Sequence, residues 1–188
     1  MDRSINIHKA LKKSFAVRAK RTADAVKTQF SEDITQVEAK TGEYVVSESA
    51  RRYLVDALHY SDIPLGEVIK QKRKGNPGYD FFSENLQNIL LFGEAKFRGD
   101  ESGCREAINQ VKNFSEDGND VADLLDIDRF VTTEALDNFM DDRKGFVAAF
   151  TTWEETDEQI IGRITQLEAF GVLAIYPELL CIAIQIPR

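Results

Sequence analysis

Residues 89–97 read Ile-Leu-Leu-Phe-Gly-Glu-Ala-Lys-Phe, an apolar run that ends in two charged residues. Such a run is typical of a strand buried on both faces at the centre of a sheet, and we expect the strand to span about Leu86 to Phe97. Side chains alternate along a strand, so Glu94 and Lys96 share one face. Burying a carboxylate and an ammonium is costly unless they are paired or bound to a metal. This strand is therefore also a candidate site of chemistry.

The hydrophobic pattern on either side of this strand changes between helical and strand periods. Helices are expected over about 6–27, from an N-cap at Ser47 to about 60, and over 105–114 and 160–170; strands are expected over 67–71, 79–82, 146–152 and 179–186, with a turn at 75–78. The resulting order is helix, three strands, helix, strand, helix, strand. It indicates an α/β sandwich with a central mixed sheet and an N-terminal helical extension.

Size and composition favour one domain. The chain has 188 residues, of which 43% are hydrophobic, enough for one substantial core. We divide it into a basic helical extension (1–45), a segment with the candidate chemistry (47–114) and an acidic helical region with the remaining strands (115–188). Cys104 and Cys181 have no CxxC partner, so we expect neither a disulfide nor a cysteine zinc site, and a reducing cytoplasm fits better. The longest apolar run, 179–184, is too short to cross a membrane.

The charge is unevenly distributed along the chain. The net charge is −8, which argues against a protein that simply coats nucleic acid. Residues 1–30 nevertheless hold eight Lys or Arg against two Asp, and Lys70, Lys72, Arg73 and Lys74 form a second basic cluster. Residues 115–168 hold fifteen Asp or Glu against four Lys or Arg. The molecule is polarised, and solvated helix faces are the simplest interpretation of either cluster.

An acidic residue two positions before a lysine is a weak signal by itself. It occurs three times, at Glu38/Lys40, Glu94/Lys96 and Asp142/Lys144. Only the second pair ends a strongly apolar strand. The other two pairs are interpreted as exposed charges.

Asp80 strengthens the interpretation of this strand as a site. It lies on the preceding short strand, which is expected to pair beside Glu94 in an antiparallel hairpin. Two carboxylates would then converge near Lys96. Hard divalent cations such as Mg²⁺ prefer such oxygen clusters, keep several waters and accept phosphate oxygens as further ligands.

Three segments together resemble a known family. They are 78–80 (Gly-Tyr-Asp), 89–97 and 107–110 (Ala-Ile-Asn-Gln), and they are similar to the core of the PD-(D/E)XK, or restriction-endonuclease-like, nucleases over about residues 47–114. The resemblance implies a helix, three antiparallel strands, a crossover helix and a parallel strand in an α/β/α sandwich. This chain departs from the pattern in lacking a proline directly before Asp80; Pro77 lies three residues earlier.

The resemblance also implies roles for residues. Asp80 and Glu94 would bind Mg²⁺ or Mn²⁺, with the carbonyl of Ala95 as a further ligand, and Lys96 would orient the attacking water. Glu48 matches an additional acidic residue that many members use, although a glutamate in a helix's first turn is stabilising for dipole reasons alone. Gln110 matches a polar residue of the second helix. Glu67 is a weaker candidate for the additional acid, and Arg51, Arg52 and the Lys70 to Lys74 cluster are candidate phosphate contacts.

The implied function is a metal-dependent endonuclease or exonuclease acting on DNA, in restriction or anti-phage defence. The segments around Asp80 and Glu94 are similar to nuclease subunits of bacterial anti-phage systems such as Hachiman. A partner helicase or ATPase and a homodimer remain open. One alternative is an inactive module of this fold that binds nucleic acid or protein, with the triad as a buried ion network. Another makes the acidic region 115–168 a docking surface for a basic partner.

Overall fold

The computed structural model describes residues 34–69, 78–98 and 100–185. From Ala39 onward the chain forms a compact unit. The predicted helix over 6–27 and the basic cluster Lys70, Lys72, Arg73 and Lys74 lie outside the described residues. The elements in chain order are α1 (Ile34–Asp56), α2 (Gly66–Ile69), β1 (Phe81–Glu84), β2 (Leu90–Lys96), α3 (Ser102–Glu116), α4 (Asn119–Ile127), a 3-10 turn (Asp128–Phe130), α5 (Thr133–Met140), β3 (Lys144–Thr152), α6 (Asp157–Thr165), α7 (Glu168–Leu173) and β4 (Glu178–Gln185).

The strands form one mixed sheet in the order β1-β2-β3-β4. β1 and β2 are antiparallel, whereas β2 pairs with β3, and β3 with β4, in parallel. Every residue of β2 and β3 is buried. The predictions of an α/β fold, a mixed sheet and a central strand around residues 89–97 are therefore confirmed.

Helices cover both faces of the sheet. Side chains alternate between the two faces of a strand, so the buried strands β2 and β3 present apolar side chains on both faces. On one face α1 packs Val46, Ala50 and Leu54 against a core that includes Leu91 and Val147. On the other face α3 packs against β2 and β3 and buries its own apolar stripe, Cys104, Ala107, Ile108 and Val111. The two layers hold β2 between them, which explains its unbroken apolar run.

The first predicted strand, 67–71, is wrong for its described part. Residues Gly66–Ile69 form the short helix α2 instead. The amide of Ile69 donates to the carbonyl of Leu65 at 3.3 Å, and both side chains are buried. A spacing of four residues fits a helix and also the alternation of a strand, so a segment this short does not distinguish the two.

Two other predicted boundaries were also wrong. α1 begins at Ile34, so Ser47 is not an N-cap; its hydroxyl donates to the carbonyl of Glu43, one turn earlier. The third predicted strand begins at Leu90 rather than Leu86 because Asn85 closes the hairpin turn. Its side-chain oxygen accepts from the amides of Gln87 and Ile89 at 2.8 and 2.9 Å.

The acidic region is helical, as predicted, but bounds were predicted for only one of its helices. The positions of α4 and α5 were not predicted, and the helix expected over 160–170 is divided into α6 and α7. Lys144 was expected to be exposed but is buried, where it pairs with Asp120 at 2.6 Å; Asp142 is exposed as expected. Across the described ranges no helix is both long and apolar enough to span a membrane.

Candidate active site

The site lies where β1 and β2 separate. The ladder between them ends at Phe81 opposite Gly93, and the amide of Asp80 donates to the carbonyl of Gly93 at 2.9 Å. β2 continues to Lys96, paired from Glu94 onward only with β3. Continuing the antiparallel register places Asp80 beside Glu94. The structure thus brings together the two carboxylates that the sequence predicted.

The side chain of Asp80 takes the place of a backbone partner at the end of the β1–β2 ladder. The amide of Ala95 has no partner on β1, and it donates instead to Asp80 Oδ2 at 2.9 Å. Burial raises the pKa of the Asp80 carboxyl to about 6, against the opposing effects of this amide and of Lys96. In a strand the amide and carbonyl of one residue point to the same edge, so the Ala95 carbonyl also lies on the edge that faces Asp80.

Glu94 and Lys96 form a buried ion pair. Lys96 Nζ lies 2.9 Å from Glu94 Oε1, and both residues are buried. Glu94 Oε2 is also buried but has no hydrogen-bond partner among the described residues. Burial, and next the charge of Asp80, raise the pKa of Glu94 well above its ordinary value. Burial would lower the pKa of Lys96, but the surrounding carboxylates raise it overall.

Glu43 of α1 is a site residue that the sequence prediction missed. Its Oε1 lies 3.5 Å from Lys96 Nζ and 3.6 Å from Arg98 Nη1. Gly42 makes this approach feasible, since a Cβ there would lie 2.3 Å from the Phe97 ring. The signal was present: Gly42, Val46, Ala50 and Leu54 are buried at intervals of four residues. That stripe extends the helix upstream of Ser47 and places Glu43 within it.

A small cavity opens beside Asp80. Its volume is about 30 Å³, room for about one water molecule. Gly66 lets α2 approach here, because its amide donates to the carbonyl of Asp80 at 2.7 Å and a Cβ would lie 2.5 Å from the carbonyl of Tyr79. Glu67 is thereby placed near Asp80, whose pKa its charge helps to raise. The cavity is lined by Lys40, Glu43, Tyr44, Ser47, Leu65, Glu67 and Asp80.

Other predicted site residues lie apart from this cluster. Glu48 is in the middle of α1, not in its first turn, and pairs with Arg51 at 2.8 Å and with Arg52 at 2.9 Å. Arg51 also contacts Asp62, so carboxylates already occupy this candidate phosphate contact. Gln110 is half-buried on α3. Within the described part of the chain, no hydrogen bond or ion pair joins Glu48, Arg51 or Gln110 to Asp80, Glu94 or Lys96.

The oxygen atoms around Asp80 and Glu94 can be compared with those that divalent cations bind. Among the described residues no group of three or more His, Cys, Asp or Glu side chains is arranged as a metal site. Two carboxylates, one with a buried and unbonded oxygen, together with a backbone carbonyl nevertheless match the chemistry of Mg²⁺, which binds through one or two carboxylates and retains water. Asp80, Glu94 and Ala95 therefore fit such an ion.

Comparisons of this chain with protein-family models, with curated proteins and with solved structures gave no match.

Proposed function

We propose that this protein is a metal-dependent nuclease of the PD-(D/E)XK type that hydrolyses phosphodiester bonds in DNA. The observation that carries the proposal is the buried oxygen of Glu94, which has no hydrogen-bond partner in the described residues although it lies beside a second carboxylate. Burying a carboxyl oxygen without a partner is unfavourable. A divalent cation held by Asp80 and Glu94 would supply that partner.

The residues of the cluster can then be assigned roles. Asp80, Glu94 and the Ala95 carbonyl would hold Mg²⁺ or Mn²⁺, which when bound polarises a phosphate and lowers the pKa of water. Lys96 is held by Glu94 and Glu43, so its ammonium has a fixed position from which to orient a water and offset negative charge on the phosphate. Glu43 is a positioning residue for Lys96.

One observation favours a second candidate function. The pair between Lys96 and Glu94 at 2.9 Å is also what a purely structural ion network would contain. In that case the fold binds nucleic acid or a protein without cleaving. Such a module should retain its affinity, or gain some, when Asp80 and Glu94 are neutralised, whereas a nuclease loses its metal.

The deciding experiment combines a cleavage assay with calorimetry. Purified protein is incubated with supercoiled plasmid and with linear single-stranded DNA in Mg²⁺, in Mn²⁺ and in EDTA. Cleavage should require the metal, disappear in Lys96→Ala and Asp80→Ala, and persist in Asp141→Ala, an exposed acidic position after α5. Absence of cleavage in every condition, with no Mg²⁺ or Mn²⁺ binding that depends on Asp80 and Glu94, would favour the binding module.

The biological setting is a further part of the proposal. The resemblance of the segments around Asp80 and Glu94 to anti-phage nuclease subunits supports a role in defence or restriction, with a helicase or ATPase as partner. Plaque counts on cells that express the wild type or Lys96→Ala test this role. Protection that survives the substitution would separate defence from cleavage.

A further inference from the structure

Arg98 lies two residues beyond the end of β2, and side chains of β3 and the following turn hold its backbone by hydrogen bonds. Thr151 Oγ1 accepts from its amide at 3.0 Å and donates to its carbonyl at 2.7 Å. Trp153 Nε1 donates to the same carbonyl at 3.0 Å. Because these hydrogen bonds hold the main chain of Arg98, the position from which its side chain extends is well defined. Neither residue that holds it belongs to the proposed catalytic cluster.

The guanidinium of Arg98 is held by Glu106 and lies near a second carboxylate, Glu43. Its Nε and Nη2 lie 2.8 and 2.6 Å from Glu106 Oε2 of α3. Its Nη1 donates to the carbonyl of Phe97 at 3.0 Å. The same nitrogen lies 3.6 Å from Glu43 Oε1, the oxygen that also lies 3.5 Å from Lys96 Nζ. Arg98 is thus separated from the catalytic lysine by one carboxylate.

The two cations of this region differ in how easily they can change partners. The side chains of Lys96 and Glu94 are 10% and 2% exposed, so breaking that pair would leave a buried charge unpaired. The side chains of Arg98 and Glu106 are 35% and 39% exposed, and a pair at such a surface contributes little. Arg98 is therefore the cation that can be released to another anion.

A further cation would help this site to bind a polyanion. Four carboxyl groups, those of Glu43, Asp80, Glu94 and Glu106, lie around two cations, Lys96 and Arg98. A DNA strand brings more negative charge. The planar fork of arginine binds phosphate oxygens through two parallel hydrogen bonds, which a lysine cannot do.

We infer that Arg98 forms a phosphate-binding subsite beside the catalytic centre, and that Glu106 holds the guanidinium in the free protein until substrate displaces it. The ligand is a phosphodiester group of the substrate strand adjacent to the one that is cleaved. This inference rests on the proposed nuclease function. It predicts that substitutions of Arg98 and of Glu106 change DNA binding in opposite directions.

The test measures DNA binding separately from cleavage. In a Lys96→Ala background with Mg²⁺, fluorescence anisotropy is recorded with labelled duplex and single-stranded DNA. Arg98→Ala should weaken binding about tenfold or more, since it removes a charge-assisted contact. Arg98→Lys should fall between it and the parent. Glu106→Gln should strengthen binding because it frees the guanidinium.

Arg105→Ala is the matched control, because it removes the same charge from an exposed position next to Glu106 on α3. It should leave binding unchanged. If Glu106→Gln weakens binding as Arg98→Ala does, the pair is structural; if Arg105→Ala weakens it equally, the effect is general electrostatics. Either result overturns the subsite, as does absence of binding in the parent. Cleavage by the wild type that requires metal and Lys96 upholds the nuclease function in every one of these cases.

Discussion

At the scale of single residues, Asp80 and Glu94 lie side by side in surroundings that disfavour ionisation of both. Burial is the largest cause of the raised pKa of each carboxyl. Lys96 supplies one buried positive charge against them. The metal-free site therefore carries an excess of negative charge whenever both carboxyls are ionised. The stability of the metal-free protein should follow their protonation.

The metal-free protein is expected to lose stability between about pH 4 and pH 7. Asp80 titrates in the folded protein at about 6, above its ordinary value of 3.8. A carboxyl whose folded pKa is raised contributes stability that is present below its unfolded pKa and lost as the pH rises through its folded pKa. Urea denaturation in EDTA across this range measures the loss. Asp80→Asn should flatten the profile, and an unchanged profile in that variant would contradict the assignment.

Sequence reasoning predicted that Asp80, Glu94 and Lys96 lie together, but it did not predict the residues around them. Strand alternation suffices to place Glu94 and Lys96 on one face, and a hairpin brings Asp80 beside them. Glu43 and Arg98 reach the site from a crossing helix and from beyond the end of β2. Such contacts depend on tertiary packing, which the local periodicity of the sequence does not predict. Glu43 was missed because the helix was predicted to begin after an N-cap at Ser47, fourteen residues later than its observed start at Ile34.

At the scale of elements, the strands were predicted better than the short helices. β2 and β3 are recognisable because burial on both faces requires long apolar runs. α2 has four residues, too few for a helical period to be distinguished from alternation. α4 and α5 are short, with nine and eight residues, so each contains only about two helical turns from which to place its ends. The fold class was therefore predictable, whereas the bounds of the helices in the acidic region were not.

The contact between α1 and the end of β2 gives a test at this scale. Gly42→Ala would place a Cβ within 2.3 Å of the Phe97 ring. Overpacking of this kind costs about 1–3 kcal/mol. We expect the clash to push α1 away from Phe97, so that Glu43 moves with it and metal-dependent cleavage falls. Thermal unfolding and cleavage rates measure the two effects.

Gly162→Ala is the control for that substitution. Gly162 lies within α6, and a Cβ there would meet nothing within 4 Å. Replacing a helical glycine with alanine stabilises by about 0.5–1 kcal/mol. The two glycine variants should therefore change stability in opposite directions. A Gly42→Ala protein as stable and active as the wild type would show that α1 is not held at the distance described.

At the scale of the whole molecule, some charges of the acidic region 115–168 are buried and do not contribute to its surface. Asp120 of α4 is buried against Lys144 at 2.6 Å, and Asp123 accepts from the amide of Tyr79 at 2.9 Å. Both belong to the acidic region that the sequence indicated as a docking surface, yet their charges are turned inward. Asp123 also ties α4 to the residue before Asp80. Part of the acidic region thus supports the site, and only its exposed carboxylates are available to a basic partner.

The net charge of −8 complicates any test of metal binding by stability. Every added cation screens the repulsion among acidic groups, so salt alone should stabilise the protein somewhat. Binding at one site behaves differently, because its contribution depends on the affinity and reaches about 2.7 kcal/mol at a hundredfold excess over Kd. We therefore expect Mg²⁺ or Mn²⁺ to raise Tm more than NaCl of equal ionic strength. The excess should vanish in Asp80→Asn and in Glu94→Gln, while the response to NaCl remains. Equal responses to divalent and monovalent salt in all three proteins would mean that the two carboxylates form no metal site.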